Sequence, residues 1–292
     1  MEDNDVIVSS SASIDHLSPA EEEVVVEGSG GWPSLRLGEV WHAHELLYFL
    51  VWREVKVRYA QTALGVAWAV LQPLLTVVVF TVFFNRVARI TSGGIPYPVF
   101  VLTGLVPWLF FANGVTAAST SLVANTNLLT KVYFPRLVIP TASTLSGLPD
   151  FAIAFGITLL VMAGYGIAPA AAVAAVLLVL LLVLATCLGV AIWLSALNVE
   201  FRDVRYLVPF LVQLWLLATP VAYPANGLDG PWAILIGLNP MVGAIETFSY
   251  VLLATPAPPV ATVALSTAVA LAVLVSGMYY FRHMERRFAD VI

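Results

Sequence analysis

Charged side chains are scarce in this chain, and beyond residue 35 several of them gather in short runs that could hold a phosphate, pair with one another or meet a partner. Arg53, Lys56 and Arg58 form one such run. A second reads Asn125-Thr-Asn-Leu-Leu-Thr-Lys-Val-Tyr-Phe-Pro-Arg136, where Asn125 or Thr126 is placed to cap a short helix and Pro135 to end it. A third, Asn198-Val-Glu-Phe-Arg-Asp-Val-Arg205, alternates charge in the manner of a local salt-bridge cluster. Asp150 stands in an otherwise apolar stretch, where a carboxylate either lines a polar path or is satisfied by a neighbouring helix.

Several chemistries have no residues to support them. The only lysines, Lys56 and Lys131, do not follow a glycine, so no phosphate-cradling Gly-rich loop of the G-x-x-x-x-G-K-[ST] type exists. H-E-x-x-H, C-x-x-C and G-x-S-x-G are also missing, and neither catalytic nor metal-ligating residues are expected. The single cysteine, Cys187, reads as a small buried apolar residue.

The elements that carry these runs are set by composition. Of 292 residues 60% are hydrophobic and 11% charged, far below the charged share of a soluble domain. The expected fold is an all-α integral membrane protein with six transmembrane helices, each built on roughly 20 apolar residues. They run from about Val66 to Phe84, Val99 to Leu122, Leu137 to Ala163, Ile167 to Leu197, Tyr206 to Tyr223 and Val260 to Phe281. A further apolar segment, 231–253, is broken by Asn239-Pro240 and contains Glu246. Parity decides its reading. Six spans leave eleven basic residues inside and only Arg86 and Arg89 outside, with both termini in the cytoplasm, whereas seven would export the basic end Arg282, Arg286 and Arg287. The segment is therefore expected as a re-entrant element on the outer face, between the fifth and sixth spans.

Three regions follow. Residues 1–36 are expected as a disordered tail, because eight of the 18 acidic residues lie in the first 30 and no Lys or Arg precedes Arg36. The tail lacks the basic start and apolar core of a secretory signal. Residues 37–61 read as an amphipathic helix with Trp41, Tyr48, Trp52, Val55 and Tyr59 on one stripe and the cations off it, suited to the cytoplasmic membrane interface. Residues 62–292 form the six-span domain.

The same residues resemble a known family. The pieces are Trp52-Arg-Glu-Val-Lys-Val-Arg-Tyr59, Leu64-Gly-Val-Ala-Trp68, Gln72-Pro73, Gly104-Leu-Val-Pro-Trp108, Lys131-Val-Tyr-Phe-Pro-Arg136, Asn198 with Phe201-Arg-Asp203, Thr219-Pro220 and Asn239-Pro240. From about residue 40 to the C-terminus the chain resembles the permease subunits of bacterial type-2 ABC exporters for polysaccharides, which include O-antigen, capsule and teichoic acid exporters. The resemblance implies a homodimer in the bacterial cytoplasmic membrane, working with two copies of a separate ATPase that binds ATP and Mg. No cofactor is then expected in this chain, and membrane lipid but no nucleic acid among its partners. It further implies a glycan substrate on a lipid carrier, usually undecaprenyl diphosphate. ATPase coupling would fall to Asn125, Leu128, Leu129, Lys131, Tyr133, Phe134, Pro135 and Arg136, and the outer gate to Asn239 and Pro240.

A lipid-linked glycan makes separable demands. Its diphosphate needs cations at the cytoplasmic headgroup layer, for which Arg53, Lys56, Arg58, Arg202 and Arg205 are the candidates. Its sugars need a path without fixed hydrogen bonds, for which the aromatics Phe80, Phe83, Phe84, Trp108, Phe111, Phe210, Trp215 and Tyr223 are the candidates. Teichoic acid or capsule export by the same mechanism is the alternative. A membrane sugar transferase needs acidic residues or metal ligands at the bilayer surface, and the outward loops of this chain offer only Asp229 and Glu246. An ion-coupled flippase is opposed by the sparse intramembrane charge and the absence of a visible inverted repeat.

Overall fold

A computed structural model describes residues 37–60, 66–170, 174–224 and 235–285, and the regular elements in them are helices. The acidic tail, the Leu64-Gly65 step, Arg286 and Arg287 lie outside the described residues. Two helices, α1 (Leu37–His42) and α2 (His44–Ala60), precede α3 (Val66–Phe80), which runs into a π-helical segment at Thr81–Val87. Then follow α4 (Tyr97–Ala124), α5 (Thr126–Lys131), α6 (Val138–Leu145), α7 (Leu148–Gly164), α8 (Ala174–Glu200), α9 (Val204–Leu217), α10 (Pro240–Leu253) and α11 (Val260–Glu285).

Among the described residues five helices are long and apolar enough to cross a membrane: Ala67–Val87, Tyr97–Ala124, Val138–Gly164, Ala175–Glu200 and Val260–Glu285. They fall on the first, second, third, fourth and sixth expected spans. The expected fifth is shorter than anticipated. With 14 residues, α9 extends only about 21 Å at 1.5 Å per residue, against a hydrocarbon core of about 30 Å. It gives way to a turn at Thr219-Pro220, where the proline ring cannot continue a helix. The fourth begins later than Ile167. The α7 helix closes with Gly166 at φ 69°, its amide bonding Ala163 O at 3.0 Å and that of Ile167 bonding Met162 O at 2.9 Å. This paired closure consumes Ile167 as a cap instead of a helix start. The third span is two helices, α6 and α7, stepping at Ser146-Gly147.

The α4 helix is the axis of the bundle and packs on α3, α6, α7, α8, α9 and α10. Small residues permit this. A Cβ on Gly114 would lie 2.7 Å from Cys187 Sγ, so the thiol occupies the space that glycine leaves and donates to Phe111 O at 3.7 Å. Cys187 is thus the small, fully buried residue its setting suggests. A similar close approach joins α8 to α11. A Cβ on Gly189 would stand 2.7 Å from Leu274 N, and one on Gly277 would stand 2.7 Å from Gly189 O. Stacking of Trp193 on Tyr280, with centroids 4.1 Å apart, extends the same seam.

Because the atoms facing Gly189 are backbone and cannot rotate away, Gly189→Ala is expected to destabilise the protein by about 1–3 kcal/mol. Thermal unfolding in detergent checks this. Gly156→Ala, whose added Cβ meets nothing within 4 Å, should leave the midpoint unchanged or higher.

Candidate functional site

The α2 helix turns one face to the bundle and the other outward. Leu46, Leu47 and Leu50 pack inward, Leu50 completely, as does Ala43 at the α1–α2 step, while Tyr48, Phe49 and Trp52, and Trp41 at the end of α1, are exposed. The aromatic stripe read from the sequence is therefore the outward face through Trp52, and Tyr59 at its end turns half inward. Helical spacing continues the inward face into polar residues, and each meets a partner on another element. Arg53 donates to Asn125 Oδ1 at 2.6 Å, and Glu54 Oε1 accepts from Ser143 Oγ at 2.9 Å. Arg58 donates to Asp150 Oδ2 at 2.5 Å and to Ser146 Oγ at 3.0 Å. Tyr59 donates its hydroxyl to Asp150 Oδ1.

Asp150 is therefore satisfied by two groups of α2, and it also borders a cleft of about 810 Å³ between α3, α4 and α7. Of the two alternatives for this carboxylate, the structure shows the interhelical contact. Burial, then the hydrogen bond to Asp150, pushes the Tyr59 phenol up from 10.0 to about 12. A raised pKa favours the protonated form, so Tyr59 remains a donor to Asp150 until the pH rises through that range, and stability from this bond is lost only between about 10 and 12.

The cations considered for phosphate divide into two groups. Arg53 and Arg58 are engaged as above, whereas Lys56, Arg202 and Arg205 are exposed. The Arg205 guanidinium lies 4.5 Å from the centre of the Tyr206 ring. In the same run Asn198 is buried and donates to Ser119 O at 2.9 Å, which fastens α8 to α4.

The segment 125–136 differs from expectation at its start. Neither Asn125 nor Thr126 caps α5 with its side chain. The Asn125 amide donates back to Ser121 O at 2.9 Å and receives Arg53, and Thr126 Oγ1 donates to Val123 O. Asn125 is committed to finishing α4 and holding α2, so its oxygen is not available to α5. Leu128, Leu129 and Phe134 pack against the cluster that holds Leu50. Lys131, Val132 and Tyr133 project, with Tyr133 99% exposed. The helix ends at Lys131, ahead of Pro135. Arg136 donates to Glu285 O at 3.0 Å, and Arg282 pairs with Glu285 at 2.9 Å and Glu39 at 3.3 Å, so α1, α11 and this loop meet.

At the opposite end Asn239 is a junction. Its Oδ1 accepts from Trp215 Nε1 at 3.0 Å and from Met241 N at 3.1 Å, and its Nδ2 donates to Thr219 Oγ1 at 2.9 Å. Asn239 caps α10 with Pro240 at the first helical position, the setting that suits both residues. The aromatics separate into groups. Trp108, Phe111 and Trp215 form one cluster, Phe111 and Trp215 meeting edge to face at 5.0 Å, with Trp108 and Phe111 in the core. Phe80 pairs with Phe84 at 5.3 Å, Tyr223 donates to Leu217 O, and Phe83 and Phe210 are exposed.

The cleft shows what the sequence reading passed over. Gln72, Asn113, Thr116 and Thr120 line it. The spacing 113, 116, 120 is one helical face inside an apolar span, a signal legible in advance.

A double-mutant cycle tests the central pair. Arg58→Ala and Asp150→Ala should each destabilise, and the double variant should recover a coupling on the order of 1 kcal/mol, discounted for partial exposure. Denaturant unfolding in detergent reads it; strict additivity would show that the pair is not coupled.

Comparison with known proteins agrees with this architecture. The family model described as ABC-2 type transporter matches residues 45–253. An O-antigen export system permease protein, RfbA, of Myxococcus xanthus is 32% identical over 257 residues, 87% of this chain and 98% of that protein. A protein of the same description from Klebsiella pneumoniae is 29% identical over 250 residues, 85% and 95% of the two chains. The polysialic acid transport protein KpsM of Escherichia coli is 25% identical over 198 residues, 66% and 76%. The family match takes in every element from α2 to α10, and the chain belongs to the ABC-2 type transporter family.

Proposed function

We propose that this protein is the membrane-spanning permease of an ATP-driven exporter of an O-antigen-like, lipid-linked polysaccharide, moved across the bacterial cytoplasmic membrane. The observation that carries the reading is similarity along almost the whole length of a relative named an O-antigen export permease. KpsM, named for polysialic acid transport, supports capsule-type polymer as the second reading by the same mechanism, and teichoic acid export stays beside it. The chain works as a homodimer with two copies of a cytoplasmic ATP-binding subunit, which supplies ATP hydrolysis with its Mg.

Several features support the division of labour. Lys131, Val132 and Tyr133 project from a base fixed by Leu128, Leu129 and Phe134, which suits a surface that receives force. A tyrosine and a valine held outward give a partner apolar area to bury. With its aromatic face outward, α2 lies in the cytoplasmic interface. The bundle crosses six times, α9 and the turn after it making the fifth crossing, with both termini inside and α10 as the re-entrant helix. Lys56, Arg202 and Arg205, exposed and among the described residues not held by a carboxylate in the way Arg58 is, receive the diphosphate with help from Arg53 and Arg58 when these release their partners. Sugars pass the exposed Phe83 and Phe210, with the Phe80 and Phe84 pair and Tyr223 nearby in sequence. Trp108, Phe111 and Trp215 join the path when the core around them opens. Asn239 and Pro240 form the outer gate, since movement of α10 must break or carry the bonds to Trp215 and Thr219.

Co-expression with the ATP-binding subunit should yield a stable complex that hydrolyses ATP. Tyr133→Ala combined with Val132→Ala should leave the bundle folded and lower export and stimulated ATPase activity severalfold. A chain that binds no ATPase and moves glycan alone in liposomes would overturn the reading. Separately, replacing Lys56, Arg202 and Arg205 together by glutamine should abolish export without loss of the complex; unchanged export would remove them from phosphate capture.

A further inference from the structure

Between Tyr97 and Leu122, α4 presents a single exposed residue, and that residue is an asparagine. Asn113 lies in the middle of a helix that is otherwise the most enclosed of the spans, and it opens onto the cleft of about 810 Å³. Gln72 faces the same space from α3. Among the described residues neither amide has a hydrogen-bond partner in the protein. Thr116 and Thr120 border the cleft as well, each giving its hydroxyl proton to its own helix, at 2.7 Å to Ala112 O and 3.1 Å to Ala117 O, which leaves oxygen lone pairs to accept.

Most of the lining is apolar, but amides at membrane depth without partners are strongly unfavourable against hydrocarbon, so an acyl chain would leave Gln72 and Asn113 unsatisfied. A molecule rich in groups that both donate and accept fits better, because an amide offers both roles. Trp68, 55% exposed, stands one helical turn from Gln72 on the wall of the cleft and offers a flat face to the C–H surface of a sugar ring. The charge at the cleft's edge is balanced, since Arg58 is held by Asp150 at 2.5 Å. While that pair is closed, a phosphate in the cleft meets an arginine already neutralised by Asp150, whereas an uncharged polyhydroxyl chain needs no free cation. The size lies within the range of small-molecule sites.

We propose that this cleft is a glycan-binding groove, in which uncharged sugar units are held between Trp68 and the polar row of Gln72, Asn113, Thr116 and Thr120. The assignment rests on the reading of the chain as a polysaccharide permease and adds to it where in the fold the sugars bind.

The test uses the permease–ATPase complex in membranes of cells that make the polymer. Cys187 is fully buried, so an introduced cysteine is the accessible thiol among the described residues. A water-soluble charged thiosulfonate should label Asn113→Cys much faster than Leu178→Cys, an apolar and exposed position on α8. Labelling of Asn113→Cys should slow severalfold when polymer is being made. Asn113→Leu should lower export severalfold with normal assembly, and Asn113→Gln should restore most of it. Equal labelling at the two positions, or protection that persists in membranes lacking polymer, would mark a lipid-filled seam and overturn the groove. Wild-type export retained by Asn113→Leu would overturn the groove alone. Absence of export by the wild-type complex would overturn the permease reading and the glycan occupant with it.

Discussion

An unpartnered polar group is costly in a low-dielectric bundle, and the cross-links of this structure are the consequence of that cost. Asn198 reaches Ser119 O, Thr103 meets Ser249 at 2.9 Å, Tyr97 donates to Ala222 O at 2.7 Å, and Asn239 satisfies three bonds at once. Apart from the local cap bond of Asn239 to Met241 N, each joins elements distant in sequence. Apolar faces alone would permit the helices to slide or rotate, since lipid solvates a leucine as well as a neighbouring helix does. Hydrogen bonds with fixed geometry remove that freedom and specify one arrangement.

The strongest of these cross-links lie where α2 enters. Its inward face begins apolar, at Leu46, Leu47 and Leu50, and ends polar, at Glu54, Arg58 and Tyr59. One helix therefore packs on the bundle by its first half and is pinned by its second. Arg53 holds the junction of α4 and α5 through Asn125, while Arg58 holds the junction of α6 and α7 through Ser146 and Asp150. A displacement at α5 has a direct mechanical route along α2 to the edge of the cleft.

Close backbone approach supplies the remaining rigidity. The glycine contacts between α8 and α11, and the fit of Cys187 into the gap at Gly114, let helices meet at distances that larger side chains forbid. The short elements α9 and α10, 14 residues each, are joined at one end by the bond from Trp215 to Asn239. An end of a bundle built from short helices held by a few hydrogen bonds opens at lower cost than one built from continuous spans.

The amino-acid sequence by itself determined the membrane class, five of the long spans, the break at Asn239-Pro240 and the family, because apolar run length, proline and short motifs act locally and need no partner to be read. It also placed the aromatic stripe of α2 up to Trp52 and the short helix after Asn125. The tertiary structure alone decided what the polar residues do. Whether Asp150 pairs with a helix depends on residues 91 and 92 positions away, and both of them bond to it. Asn125 reads as a cap in sequence, but long-range bonding to Arg53 commits its oxygen elsewhere. Burial likewise separated Trp108 and Phe111, in the core, from Phe83 and Phe210, outside it, although all four look alike along the chain. Hydrogen bonds and burial are properties of pairs and neighbourhoods brought together by folding, and local sequence holds only one member of each pair.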